Sequence, residues 1–251
     1  MPKTLCVLLL LLLLPLAQGH ALRIATGELP PYATQERGDQ GVALQIVRQA
    51  FALAGHTVTY HFMPWTRALE ETANGRWDAT AYWGFSEARN RRFLASDTVL
   101  SEQWVFVHRR DTAFDWTTLA DLQPYRLAII ANYTYTPELW QGLSQGRLQG
   151  DATPDDLLAL RKLLAHRVDL VPIERNVACY LLARHFSVAE AEKLQAHPRL
   201  LTDKFTTHLL LPRKLPGSAA LLADFNRGLQ RLKASAEYAR LLKGVACPRG
   251  W

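Results

Sequence analysis

The stretch "GRWDATAYWGFSEARNRRFLASD" (residues 75–97) holds two patterns on which the reading of the whole chain turns. Its first part, Trp77–Tyr82, is a short run of apolar and β-forming residues after Gly75, and predicts a strand that leaves a turn. Its second part sets Arg89, Arg91 and Arg92 within four positions, between an aromatic run and the Ser96–Asp97 pair. A run of charges is ordinarily a solvated face. Whether one of these arginines holds a ligand depends on the segments around it.

Those segments alternate between strand and helix. Upstream, "LRIAT" (22–26) reads as a strand stopped by Gly27. "VALQIVRQAFALAG" (42–55) puts Ile46, Val47, Ala50, Phe51 and Ala54 on one helical face, with Gly55 as a stop. "TVTYHF" (57–62) alternates as a half-buried strand does, and "TRALEETANG" (66–75) predicts a short helix capped by Thr66. "QWVFVH" (103–108) is a further strand. From about Asp111 a second series begins: a short helix at 115–122, a strand at 126–131, and helices at 136–143 and 153–165, the last with Thr153 as cap and Pro154 at its first position. A strand at 168–172 and a helix at 174–186 follow, then a strand at 207–214 and one long terminal helix from Ser218. Alternating units of this kind predict an α/β fold with largely parallel sheets. Two such series with a returning C-terminal segment suggest two lobes.

Composition narrows the function. The formal net charge is +6, but the basic residues are spread along the chain, which gives nucleic-acid binding little support. Lys3, the apolar run Leu5–Leu16 and the small-residue exit "AQGHA" predict a secretory signal peptide over residues 1–21, cut after Gly19 or Ala21. The run is too short for a membrane span, which needs roughly 20 apolar residues. The mature protein is therefore expected to be exported and soluble. Two cysteines follow the signal, Cys179 and Cys247; in an oxidising compartment an even pair suggests one bridge, the alternative being a buried Cys179 and a free Cys247.

The order of these segments resembles the periplasmic solute-binding proteins of the polar amino acid uptake family. The likeness covers essentially the whole mature chain. "LRIATGELPPY" (22–32) is similar to the family's first strand and aromatic-bearing loop, the stretch 75–97 to its arginine segment, and "LLADFNRGLQRLKASAEYARLLKG" (221–244) to its terminal helix. The resemblance implies a type II two-lobe fold with the ligand in a cleft between the lobes. Lobe 1 would span residues 22–110 plus 204–251, and lobe 2 residues 111–203.

The resemblance also implies site residues. Arg89 would clamp a ligand carboxylate, for which a planar, permanently charged guanidinium is well matched. Ser86, ahead of a short helix, would add a hydroxyl. Arg91 and Arg92 have no counterpart and read as surface. Glu174, at a fixed offset from Asp169, would take an ammonium group, although the family more often has Asp there; helix capping is the alternative role. Trp65 would stack on the ligand, with Tyr32, Tyr82 and Trp83 narrowing the cleft from lobe 1, and Tyr133 and Thr134 closing it from lobe 2. Glu28 would meet a cationic side chain or stay exposed.

The reading is thus a binding protein without catalysis, cofactor or metal, monomeric, carrying a small amino-acid-like solute to a membrane transporter permease. Two alternatives are a small-molecule lyase on the same fold and a sensory module for a separate receptor. For the first, His61, His108 and His208 are present but form no Ser-His-Asp or metal-ligating pattern in the sequence.

Overall fold

The computed structural model describes residues 19–131 and 133–243. The chain starts as a β-α-β-α-β unit: β1 (Ala21–Thr26), α1 (Val42–Leu53), β2 (Thr57–Phe62), α2 (Trp65–Ala73) and β3 (Ala79–Gly84). β1 lies between β2 and β3 and is parallel to both, as strands joined by helical crossovers are. The predicted face of α1 is the buried one, with Ile46, Val47, Ala50 and Phe51 all inside. A single turn of helix, α3 (Glu87–Asn90), and β4 (Phe93–Ala95) follow β3, then β5 (Leu100–Arg109).

The second series is β6 (Arg126–Ile130), α4 (Pro137–Ser144), β7 (Gln149–Thr153), α5 (Asp156–Leu164), β8 (Leu170–Glu174) and α6 (Arg175–His185). β6 is parallel to β7 and β8. After α7 (Val188–Ala191) and β9 (Leu194–Ala196) the chain returns along β10 (Thr202–Pro212) to α8 (Ser218–Lys233) and α9 (Ala236–Leu242). The strands run in the order β2-β1-β3-β10-β5-β8-β6-β7, with β4 on β10 and β9 on β5. The fold is mixed α/β, and its sheet is not largely parallel: β10 and β5 are both antiparallel to their neighbours.

That antiparallel pair positions the site. β10 bonds to β3 on one side and β5 on the other, and β5 goes on to pair with β8. One lobe hangs on β1–β3, the other on β6–β8, and β5 and β10 run between them. α8 closes the first lobe against α1, so tightly that a methyl group on Gly228 would lie 1.9 Å from the Ala50 carbonyl oxygen. The second lobe has its own aromatic core, with Trp104, Phe106, Trp116, Tyr135 and Leu139.

Three local expectations are corrected. α2 starts at Trp65, with Pro64 rather than Thr66 at the cap position. α5 starts at Asp156, because Thr153 closes β7 and the Asp155 side chain accepts from Leu158 N. The single terminal helix is two, α8 and α9, with Ser235 at the second N-cap.

Candidate functional site

The cleft between the lobes is lined by the loops after β1 and β6, the first residue of α2, the end of β3, and the strands β5 and β10. Its walls are the rings of Trp65, Tyr82, Trp83, Trp104 and Tyr133, and its polar groups include Glu102, Thr134 and Thr207. The enclosed space is about 50 Å³, against about 300 Å³ at the small end for ligand pockets. A ligand therefore enters only if the lobes separate or the rings move.

Arg89 reaches this place from α3. Its guanidinium lies over the Trp83 ring, 4.8 Å from the centroid. Nη1 donates to the Gly84 carbonyl at 2.9 Å and to Thr134 Oγ1 at 2.7 Å. The second bond joins the lobes. Burial works against the charge and lowers the arginine's pKa, but a guanidinium remains protonated. Gly84 leaves room here: a Cβ would meet the Phe205 ring at 2.5 Å and Thr134 Cβ at 2.9 Å, and the Phe205 ring or Thr134 would have to shift. Arg92 turns outward and pairs with Glu70 through two bonds of 2.7 and 2.9 Å, and Arg91 is exposed. Ser86 is the residue ahead of α3 and makes no side-chain cap bond.

Trp65 sits against Gly27, its Nε1 donating to the Glu28 carbonyl at 3.3 Å, and meets Trp83 edge-on at 5.1 Å. Glu28 itself is exposed; its carboxylate accepts from Gln35 N at 3.0 Å and ties the loop after β1. Tyr32 is buried, stacks on Tyr82 at 5.6 Å, and its hydroxyl accepts from Asn176 Nδ2 at 2.8 Å, a second link between the lobes. Tyr133 donates to Asp156 Oδ2 at 2.7 Å.

Glu174 ends β8 and is 1% exposed. Its Oε2 accepts from the backbone N–H groups of Asn176 and Val177 at 2.8 and 2.9 Å, and Oε1 from Asn176 Nδ2 at 3.3 Å. It caps α6 and does not line the cavity. Burial first, then the charge of Glu102, raises its pKa well above the carboxylate range.

The sequence reading passed over two further acids. Glu102, on β5, is 2% exposed and lines the cavity. Its Oε1 accepts from Tyr82 Oη at 2.6 Å and its Oε2 from Trp104 Nε1 at 2.9 Å. Burial raises its pKa, the two donors oppose that, and the charge of Asp156 adds to it. Asp156, the first residue of α5, is buried with Oδ1 unbonded, and burial pushes its pKa up to about 7. A signal for Glu102 existed: it is in phase with Leu100 and Trp104, on the buried side of a strand whose Ser101 and Gln103 face out. Among the described residues none of these three carboxylates forms an ion pair.

The three histidines lie elsewhere. His61 stacks on Trp77, His108 Nδ1 contacts the Arg109 carbonyl, and His208 is held between the Ser96 carbonyl and Thr206 Oγ1. Cys179 is on α6; Cys247 lies outside the described residues, as does the signal segment up to Gln18.

The family model of bacterial extracellular solute-binding proteins, family 3, matches residues 22–244. No curated protein matches the chain by sequence. Among solved structures, a histidine kinase sensor domain with similarity to periplasmic binding proteins is 20% identical with TM-score 0.75, covering 89% of this chain and 95% of its own. An arginine transport system periplasmic binding protein from Legionella pneumophila is 17% identical with TM-score 0.74, covering 91% and 100%. An ancestral arginine-binding protein bound to arginine is 15% identical with TM-score 0.74, covering 90% and 97%. At these identities the likeness establishes the fold, that of the type II periplasmic-binding proteins.

Proposed function

The chain belongs to the bacterial extracellular solute-binding proteins, family 3, and on that premise we propose that it captures a small amino-acid-like solute between its lobes and hands it to an ABC-type importer. The observation that carries the reading is Arg89, held on Trp83 with one nitrogen bonded to both lobes. A ligand carboxylate is a stronger acceptor than the carbonyl and hydroxyl that now occupy it. Replacing them with one anion reached from both sides would favour the closed form, because a ligand shifts the equilibrium by its preference for one state.

In this reading the lobe boundaries fall near residues 110 and 203. Trp65, Tyr82, Trp83 and Tyr133 wall the site, Ser86 and Thr134 supply hydroxyls, and Tyr32 and Glu174 hold the lobes in register. The protein is exported to the periplasm by a cleaved signal, does no chemistry on its ligand, and carries a Cys179–Cys247 bridge. The shared fold with a histidine kinase sensor domain supports a second reading, in which the closed form reports solute to a separate receptor.

Calorimetric titration with the standard L-amino acids, followed by chromatography of each bound compound, tests the proposal. Saturable one-to-one binding with the compound recovered unchanged is the expected result. No binding across the panel, or a converted product, overturns it. A transport-deficient importer strain that still responds to the solute would favour the sensory reading.

A further inference from the structure

We infer that Glu102, on a strand shared by the two lobes, is the carboxylate that receives the ligand's ammonium group. The inference rests on the amino-acid-binding reading above and adds to it a residue on the hinge.

Of the three buried carboxylates, Glu102 alone lines the cavity. Its two oxygens each accept one protein donor, from Tyr82 and from Trp104. A carboxylate has about four acceptor positions, so each oxygen keeps one for a ligand. Around it stand Tyr82, Trp83, Trp104 and Trp65, whose ring faces attract a cation. Glu174 differs in its bonding and its place. Its oxygens are taken up by the first turn of α6 and by Asn176, and it is absent from the cavity wall.

The placement has a mechanical consequence. Arg89 belongs to the first lobe and Glu102 to the strand between lobes, so a zwitterion can be held at both ends before the second lobe arrives. Closure then adds Tyr133 and Thr134.

It also has a protonic one. The titratable groups that face Glu102 are Tyr82 from β3, Tyr32 from the loop after β1, Glu174 at the end of β8, Asp156 from α5 and Tyr133 from the loop after β6. All are acids, and the tyrosines are held neutral by burial. Arg89 touches two residues of the cavity wall, Trp83 and Thr134, and forms no hydrogen bond with Glu102. Burial therefore pushes the Glu102 pKa up to about 7, so a substantial fraction is protonated near neutrality. An arriving ammonium favours the ionised form, so binding releases a proton, and affinity weakens as the pH falls below neutral. On the acid side the loss approaches about tenfold per pH unit.

The test is calorimetry of the mature protein at neutral pH in buffers of different ionisation heat, with the tightest L-amino acid of the panel and its 2-hydroxy-acid analogue. The expected results are proton release with the amino acid and little binding of the analogue. Glu102→Gln should weaken the amino acid by about thirtyfold or more and abolish the release, while Glu174→Gln keeps it. Unchanged affinity and release in Glu102→Gln, or loss of release in Glu174→Gln alone, overturns the inference while leaving the amino-acid reading intact. Absence of any binder overturns both. If Glu102→Gln does not fold, Tyr82→Phe decides: losing a donor to the ionised carboxylate should move the midpoint of the pH profile upward, and an unmoved midpoint is a refutation.

Discussion

Replacing Arg89 by alanine separates the two readings of the arginine cluster. The side chain makes two hydrogen bonds, to Gly84 and Thr134, and stacks on Trp83. Each charge-assisted bond is worth about 1.5–3 kcal/mol, but truncation also returns a half-buried cation to water, which offsets part of that loss. For the bare fold the net change should be small, about 1–2 kcal/mol. For the ligand there is no offset, because its carboxylate would enter a partly dehydrated cleft unpaired. Truncating one partner of such a pair costs about 2–5 kcal/mol, or roughly thirtyfold to several thousandfold in Kd. Arg89→Lys keeps the charge without the planar fork and should lose about tenfold. The internal control is Arg92→Ala. Its pair with Glu70 is exposed, with side chains 45% and 50% accessible, and such pairs contribute about 0–1 kcal/mol. Affinity should not change. Isothermal titration of the four proteins, with circular dichroism to confirm folding, reads the result. Wild-type binding by Arg89→Ala, with affinity lost instead in Arg92→Ala, would refute the assignment.

Four further outcomes are expected. Gly228→Ala should lower the thermal midpoint, since its methyl would drive α8 off the Ala50 carbonyl and overpacking costs about 1–3 kcal/mol; an unchanged midpoint would show that the helices can slide apart freely. Asp156 favours its protonated form in the fold, with a pKa of about 7, so its contribution to stability is present below the ordinary aspartate range and is lost as the pH rises through about 7. Urea unfolding of Asp156→Asn should therefore gain on the wild type between acid and alkaline pH, by on the order of a few kcal/mol at most, and a pH-independent difference would count against the buried acid. N-terminal sequencing of the exported protein should begin at His20 or Leu22, and an intact Met1 would defeat the signal reading. Thiol labelling of the denatured, unreduced protein should find no free cysteine; two labelled residues would exclude the Cys179–Cys247 bridge.

How far the sequence revealed this depends on what each segment buries. α1 was legible because its apolar spacing is its packing face, with Ile46, Val47, Ala50 and Phe51 inside. β7 was not, because it is an edge strand of "QGDAT" whose residues are mostly exposed and which carries no apolar alternation of its own. The same oversight moved the start of α5. Thr153 is buried at the end of β7 and does not cap; its hydroxyl accepts from Lys162 Nζ at 3.0 Å. The apolar pattern of β10 starts at Thr207, yet the strand runs from Thr202, since its polar first half pairs with β5 where the chain crosses between lobes. Crossing strands answer to two lobes at once, so no single alternation marks them.

The site divides along the same line. Arg89, Trp65 and Trp83 stand in one short region of the first lobe, and their order along the chain is enough to group them. Glu102 and Asp156 come together with them only through the fold, one on a crossing strand and one at a helix start in the second lobe. Neither looks unusual as an isolated letter. What distinguishes them is burial without a cation, which disfavours the charged form and is retained only where something offsets it. A protein selected for stability alone would do better with an apolar residue at position 102, between Tyr82 and Trp104. The carboxylate lies instead against a cavity that both lobes share, where the charge missing from its surroundings can arrive with the ligand. Its unfavourable burial in the empty cleft then becomes a source of selectivity, since a solute without an ammonium leaves Glu102 as poorly paired as before.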